Sequence, residues 1–271
     1  MPISDLPPEL IQEHIISNID NYDTVEACTL VCSAWRAAAQ PIIFRSVRLA
    51  DPYTSAGTMC YRFHQLLTMS PHLAQYVTHI AIADGMQERR WLARQEQKLS
   101  FILPLLINVK HISISFVDLP YPQLSLSLRN ALRTLFRAPH VKDITLRGMR
   151  DLPGWNEFFF LLSGCTAERV SLYAFTVSSA SNAISIRQKT PATPRVQTDI
   201  RMLEVDIEPD EMKKLALWLD NPGACVDMST LKTFAYRSIR LADIGACSQV
   251  VRTRALENLE TLQLIFPDVG R

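Results

Sequence analysis

Three observations on this 271-residue chain predict an α/β fold in which a small helical unit precedes an irregular solenoid of strand-and-helix repeats sharing one parallel sheet. The first is a recurring pattern: an apolar residue, two others, an apolar, one other, an apolar. It occurs eight times, at Phe44/Val47/Leu49, Val77/Ile80/Ile82, Val109/Ile112/Ile114, Val141/Ile144/Leu146, Ala167/Val170/Leu172, Ile200/Leu203/Val205, Leu231/Phe234/Tyr236 and Leu259/Leu262/Leu264. Successive starts differ by 33, 32, 32, 26, 33, 31 and 28 residues, the period of one strand plus one helix. The second is that amphipathic helical stretches fill the intervals, over 59–68, 88–106, 126–136, 155–162, 208–219 and 243–254. One alternating strand and one such helix cannot enclose an apolar face, whereas stacked copies share one. The third is that about forty residues of helical character come before the first strand.

In order along the chain, Leu6-Pro7-Pro8-Glu9-Leu10 opens the first helix, expected over 8–19. Proline suits a first turn, and Glu9 and Glu13 suit the positive end of the dipole. Ile11, Ile15 and Ile19 form one stripe, Ile16 widens it and Leu10 lies off it, so the helix needs more than one apolar neighbour. Asp20-Asn21-Tyr22-Asp23 is turn chemistry with Asp23 as the expected cap, and Val25, Cys28, Val31 and Cys32 continue at helical spacing. A third helix starts at Ser33, carries Trp35 and Ala37 to Ala39, and is expected to stop at Pro41, before an alternating strand over 42–49.

Composition excludes several functions. With 28 Lys+Arg against 27 Asp+Glu the net charge is +1, so the uniform positive field that attracts nucleic acid is missing. The longest apolar stretches, 101–107 and 158–162, fall short of the roughly 20 residues that span a bilayer. The opening Met1-Pro2-Ile3-Ser4-Asp5 has no cationic region or apolar core, and the six cysteines, at 28, 32, 60, 165, 225 and 247, show no paired spacing. Both features fit a reduced, intracellular protein of the cytoplasm or nucleus, with no membrane or nucleic-acid partner. None of the eight glycines builds a phosphate loop, a dinucleotide fingerprint or a nucleophile elbow, and no two histidines lie four apart on a helix. No catalytic residue, metal or cofactor is expected from these motifs. Cys28 and Cys32 fall on one helical face rather than in a zinc turn, and read as buried thiols.

Leu6-Pro7-Pro8-Glu9-Leu10, the Ile15-Ile16 pair, Leu30-Val31-Cys32-Ser33-Ala34-Trp35-Arg36 and Ile43-Phe44-Arg45-Ser46-Val47 together resemble an F-box. The resemblance covers residues 5–49 and implies an F-box over 1–49 followed by the repeats over 50–271. It implies three interlocking helices that dock a Skp-type adaptor, and through it a cullin scaffold and a ubiquitin-conjugating enzyme. Matched residue by residue, the adaptor contacts are Leu6, Pro7, Leu10, Ile11, Ile15, Val31, Cys32 and Trp35. Ile19 and Phe44 are expected to pack the unit's own core. The chain departs from the pattern in the polar linker 20–23 and in Ser33-Ala34, which replaces a basic pair.

The eight-fold pattern resembles a degenerate leucine-rich repeat over 44–266. The Asn or Cys expected three residues after each strand is absent, and Gly85, Val117, Met149 and Phe175 stand there. A doubly wound parallel sheet would also alternate strand and helix, but favours glycine-rich crossover turns and a crevice at the carboxyl ends of its strands. In a stacked sheet the outward side chains align in columns about 4.8 Å apart. The first column reads Ser46, His79, His111, Asp143, Arg169, Met202, Thr233, Thr261, and two further columns place small polar residues at the centre with Arg147 and Tyr173 beyond. His79, His111, Asp143, Arg147, Arg169 and Tyr173 are therefore the expected target-binding residues. His79, His111 and Asp143 would also suit a metal or a base with its orienter, although stacked surface polar residues are the plainer reading.

Residues 176–198 read as a long loop whose three charges, Arg187, Lys189 and Arg195, are all positive. Thr190-Pro191 and Thr193-Pro194 suit a proline-directed kinase, an unmodified linker being the plainer reading. Seven residues follow Leu264; either Pro267 and this tail cover the last repeat, or the chain is truncated. The function expected is a non-catalytic substrate receptor of a ubiquitin ligase, its target protein unidentified. The alternatives are an interaction scaffold without ubiquitination and, from another class, a small-molecule enzyme using the histidine column.

Overall fold

The computed structural model of the protein describes residues 6–50, 57–83, 91–116, 120–178, 196–197, 199–221, 226–237, 244–253 and 256–266. The first helix changes pitch along its length: one α turn at Pro8–Leu10, a π segment at Ile11–Ile15 and a 3-10 turn at Ile16–Asn18, together called α1. A π turn closes i→i+5 rather than i→i+4, so it returns Ile16 instead of Ile15 to the face of Ile11. Ile11 and Ile16 are both fully buried, Ile15 is half-buried, and Ile19 packs at the edge. Helix α2 is Tyr22–Cys28, and its cap is Asn21, not Asp23: the Asn21 side chain accepts from the backbone N–H groups of Asp23 and Thr24. It ends earlier than its apolar spacing implies, with Arg36 Nε donating to the Thr29 carbonyl at 3.1 Å. Cys28 therefore closes α2 while Cys32 is the N-cap of α3, Ser33–Ile43, so the two thiols do not share a helical face. Pro41 lies inside α3 and does not stop it. Its missing N–H orphans only the carbonyl of solvent-exposed Ala37, and the extra turn brings Ile42 and Ile43 onto the core.

Ile11, Ile16, Val25, Cys28, Ala38 and Ala39 form a buried cluster separate from the larger core of the chain. Phe44 was expected in this small cluster; it packs instead against the larger one, standing between the end of α3 and the first strand.

Eight parallel strands follow in chain order: β1 Ser46–Ala50, β2 His79–Ala83, β3 His111–Ser115, β4 Asp143–Arg147, β5 Arg169–Tyr173, β7 Met202–Asp206, β9 Thr233–Arg237 and β10 Thr261–Ile265. The order has no reversal, unlike a doubly wound sheet, whose order turns back at a switch point. Val196–Gln197 (β6) and Val226–Asp227 (β8) pair as a separate parallel ribbon, and Val177 is buried and bridged to Leu152. Both ends of the expected 176–198 loop are thus tied by pairing, and Thr190 and Thr193 lie outside the described residues.

Helices α4 Gly57–Met69, α5 Trp91–Arg94, α6 Glu96–Ile102, α7 Leu126–Phe136, α8 Trp155–Leu162, α9 Pro209–Leu219 and α10 Ile244–Val251 occupy the crossovers. Helix α4 contacts α6, α6 contacts α7, α7 contacts α8, α8 contacts α9 and α9 contacts α10, so the second layer stacks in the same order as the sheet. Alternate strand residues, such as Ile80 and Ile82 or Ile144 and Leu146, are buried between the layers. Trp91, Trp155 and Trp218 are buried as well. Among the described residues no helix is long and apolar enough to cross a membrane.

One backbone device repeats at every step of the sheet. The carbonyl before each strand accepts two N–H groups from the next strand: Arg45 from Thr78 and His79, Thr78 from Lys110 and His111, Lys110 from Lys142 and Asp143, and onward to Lys232 from Glu260 and Thr261. Before most strands a short turn links two apolar residues, as in Val77 N–H to the Ala74 carbonyl or Leu231 N–H to the Met228 carbonyl. Among the described residues β10 pairs with β9 alone, and its inward residues Leu262 and Leu264 are 42% and 40% exposed.

Directly after β4 the backbone is left-handed at Gly148, with φ +74°. A Cβ there would lie 2.1 Å from the Phe116 carbonyl oxygen, whereas at Gly164, φ +75°, the nearest atom is Arg137 Nε at 3.5 Å. Gly164→Ala therefore costs only the left-handed backbone, about 1–2 kcal/mol. Gly148→Ala adds a collision with immovable backbone and is expected to cost at least about 3 kcal/mol. Urea unfolding of the two variants side by side checks this; equal losses would refute it.

Candidate functional site

Two surfaces hold the residues that the sequence singles out. On the helical unit, Pro7 is exposed, Leu10 is 43% exposed and Val31 62% exposed. Leu6, Ile15, Cys32 and Trp35 are half-buried, Leu6 and Trp35 against the small core. Ile11 does not belong with them. Expected as a surface contact, it is sealed in the unit's own core, because the π turn rotates it inward together with Ile16. Leu30 is 82% exposed in the turn between α2 and α3 and was not singled out as a contact; it stands directly before Val31, which was.

The second surface is the face of the sheet turned away from the helices. The register pairs Ser46, His79, His111, Asp143, Arg169, Met202, Thr233 and Thr261 across successive strands, which is the first expected column. The His79 and His111 rings stack with centroids 4.3 Å apart. His111 Nδ1 lies 2.6 Å from Asp143 Oδ2, and the Thr78 hydroxyl lies 2.8 Å from His79 Nδ1. Burial, then the positive charges of His111, Arg45 and Lys110, hold the His79 pKa below its ordinary value, against a hydrogen bond with the Arg45 backbone. The His79 ring thus stacks on the neighbour that holds the carboxylate partner. Among the described residues no three His, Cys, Asp or Glu side chains gather into a group that could hold a metal.

Arg169 stands apart from that group, its Nε 3.1 Å from the Met202 sulfur. One strand row further, Glu204 is a buried carboxylate on the outward face, at 4% exposure. The Tyr173 hydroxyl donates to its Oε1 at 2.8 Å, the Ser171 hydroxyl donates to Oε2 at 3.4 Å, and Arg237 Nε pairs with Oε1. Burial works against the charge of Glu204, but the hydrogen bonds from Tyr173 and Arg237, with the positive Arg237 and Arg169, outweigh it and hold its pKa below the usual value. Burial and the same carboxylate push the Tyr173 phenol above its ordinary value. Glu204 was legible as the one acid in a column of small and polar residues, but was not singled out.

Beyond Tyr173, at the carboxyl ends of β4, β5, β7 and β9, the surface opens into a cleft of about 560 Å³. Arg147 and Arg150 stand at its β4 side and Asp206 and Glu208 at its β7 side, with Tyr173 between. The Arg147 guanidinium lies 5.1 Å from the centroid of the Tyr173 ring, within cation–π range. Of the six expected target-binding residues, the structure brings Arg147 and Tyr173 into the cleft and groups His79, His111 and Asp143 elsewhere on the face. The sequence reading missed Arg150 and Glu208, which lie on connections after the strands, outside any column.

Because the folded pKa of Glu204 lies below that of an unfolded carboxylate, near 4.3, its stabilising contribution is present above that value and is lost as pH falls through the folded pKa. Glu204→Gln is expected to lower stability by about 2 kcal/mol at pH 7 by weakening charge-assisted hydrogen bonds. The gap to the parent protein narrows as the pH falls through the lowered folded pKa of Glu204, where the parent loses the same charge. Urea midpoints at pH 7 and pH 3 check both parts, and equal stability at pH 7 would remove Glu204 as an organising group. No protein-family model matches the chain, and no curated protein matches it in sequence.

Proposed function

We propose that the chain is a substrate receptor of a Skp–cullin–F-box ubiquitin ligase, docking the adaptor through its helical unit and a target protein through its sheet. The observation that carries the reading is the ordered set of four F-box-like elements over residues 5–49, on a unit that buries a core of its own and leaves Leu10, Leu30 and Val31 outside it. Aliphatic side chains of this kind anchor interfaces when a partner desolvates them. The in-register sheet is read as a degenerate, leucine-rich-repeat-like solenoid whose open face holds the target. In this reading no side chain of the chain performs chemistry. Holding the target beside a charged ubiquitin-conjugating enzyme makes the transfer effectively intramolecular, and the rate gain is one of proximity.

Leu10 and Val31 are exposed enough for substitution without loss of the fold. Purified full-length chain is expected to bind a Skp-type adaptor, and a Leu10→Asp, Val31→Asp variant with unchanged circular dichroism to bind at least thirtyfold more weakly, at about 2 kcal/mol or more for a central anchor. Titration calorimetry reads both. Equal binding by the variant, or none by the parent, defeats the proposal. Ubiquitination of a captured target in a reconstituted reaction separates a receptor from a scaffold that merely binds.

A further inference from the structure

We infer that the cleft beyond Tyr173 grips an extended segment of the target that presents an acidic and a basic side chain on one face, the acid toward Arg147 and Arg150 and the base toward Asp206 and Glu208. The inference rests on the receptor reading, in which a polypeptide is what the sheet holds, and it names the chemistry of that polypeptide.

Among the residues that line the cleft, the cations stand on one side and the carboxylates on the other. Arg147 ends β4 and Arg150 follows it by three residues, whereas Asp206 ends β7 and Glu208 is the N-cap of α9. The strand order β4-β5-β7 sets the two walls two strand steps apart, roughly 10 Å at about 4.8 Å per step. Side chains on one face of an extended segment recur about every 6.8 Å. Two such residues, reaching outward in opposite directions, span the walls when one other residue lies between them. A phosphate dianion would meet Asp206 and Glu208 on the far wall, and a uniformly acidic or basic peptide would meet like charge on one wall or the other. A volume of about 560 Å³ suits a few side chains.

The cationic wall is set before any ligand arrives. Tyr173 is anchored by its hydrogen bond to buried Glu204, and Arg147 lies against its ring. The Arg147 carbonyl accepts from Phe116 N–H at 2.8 Å, and Gly148 N–H donates to the Tyr173 carbonyl at 2.8 Å. Both non-glycine residues with positive φ among the described residues also adjoin the cleft: Ala174 (φ 53°) after Tyr173 and Asp151 (φ 53°) after Arg150. Ala174 is held by its N–H on the Asp206 carbonyl at 2.8 Å, and Asp151 by its N–H on the Thr176 hydroxyl at 3.2 Å. Backbone held in this region by surrounding bonds is characteristic of ligand-holding loops.

The test pans a phage-displayed random heptapeptide library on the full-length chain. Enriched peptides are expected to carry an acid and a base separated by one residue. A fluorescein-labelled peptide of the enriched sequence is expected to bind Arg147→Ala at least tenfold more weakly by fluorescence anisotropy. An Arg147→Glu, Asp206→Arg variant is expected to lose this peptide and gain one with its acid and base exchanged. If the double variant does not fold by circular dichroism, Arg147→Ala and Asp206→Asn measured singly decide the matter. Absence of enrichment, enrichment of peptides with one sign of charge or none, or undiminished binding by both single variants overturns the inference. Panning uses no adaptor, so its failure is distinguishable from a failure of adaptor binding.

Discussion

The sheet depends on one repeated hydrogen-bonding constraint: a single carbonyl before each strand takes two N–H donors from the strand that follows it. A carbonyl oxygen has two lone pairs, and filling both satisfies the N–H of the residue preceding each new strand, which lies outside the regular ladder. The device also fixes where each strand begins relative to the last. A slip of one residue would turn Ile80, Ile112 and their equivalents outward and His79 and His111 inward, exchanging an apolar face for a polar one. Register and burial therefore enforce each other, and from them comes the alignment of side chains into rows that no single repeat possesses.

Those rows behave differently along the sheet, because what a side chain meets depends on its neighbours in the adjacent repeats. On β2 to β4 the row is half-buried, and His79, His111 and Asp143 satisfy one another by stacking and by the short His111–Asp143 contact. On β5 to β9 larger residues reach over the centre of the face, so that Ser171 and Glu204 are buried although their strands face away from the helices. A carboxylate so placed would be costly alone. It is tolerated here because Tyr173 from one strand and Arg237 from another supply donors at once. The same contact orients Tyr173, and Tyr173 in turn carries Arg147 to the edge of the cleft.

The strands and the columns were legible in the sequence because a parallel, in-register sheet converts a linear pattern directly into geometry: each apolar pair at i and i+2 points inward and each residue between points outward. Helices α7 and α8 were legible for a similar reason, since their periodic runs end within polar or glycine-bearing turns. What escaped was decided by single bonds or by distant parts of the chain. The inward position of Ile16 follows from one π turn, which no spacing rule assigns, and the preference for Asn21 over Asp23 as a cap depends on one residue of helix register. Pro41 marks a helix end by propensity, yet Ile42 and Ile43 gain burial by continuing past it. The cleft escaped because its charged residues come from the ends of β4 and β7 and the connections that follow them, more than fifty residues apart in sequence, and became neighbours only once strand order was known.

Position within the stack also separates rigid from exposed parts. A repeat with a neighbour on each side shares its apolar face with both, so stability is shared between adjacent repeats rather than held by each alone. Among the described residues β10 has such a neighbour on one side: the carbonyl of Lys232 holds its two donors, yet Leu262 and Leu264 remain open to water. The backbone device is thus sufficient to add a strand but not to bury it. The residues flanking the cleft come from β4, β5, β7 and β9, each of which has a paired strand on both sides. A surface that must hold charged side chains at fixed separation needs that support, because a shift of one strand against the next would move Arg147 relative to Asp206 and undo the complementarity of the walls.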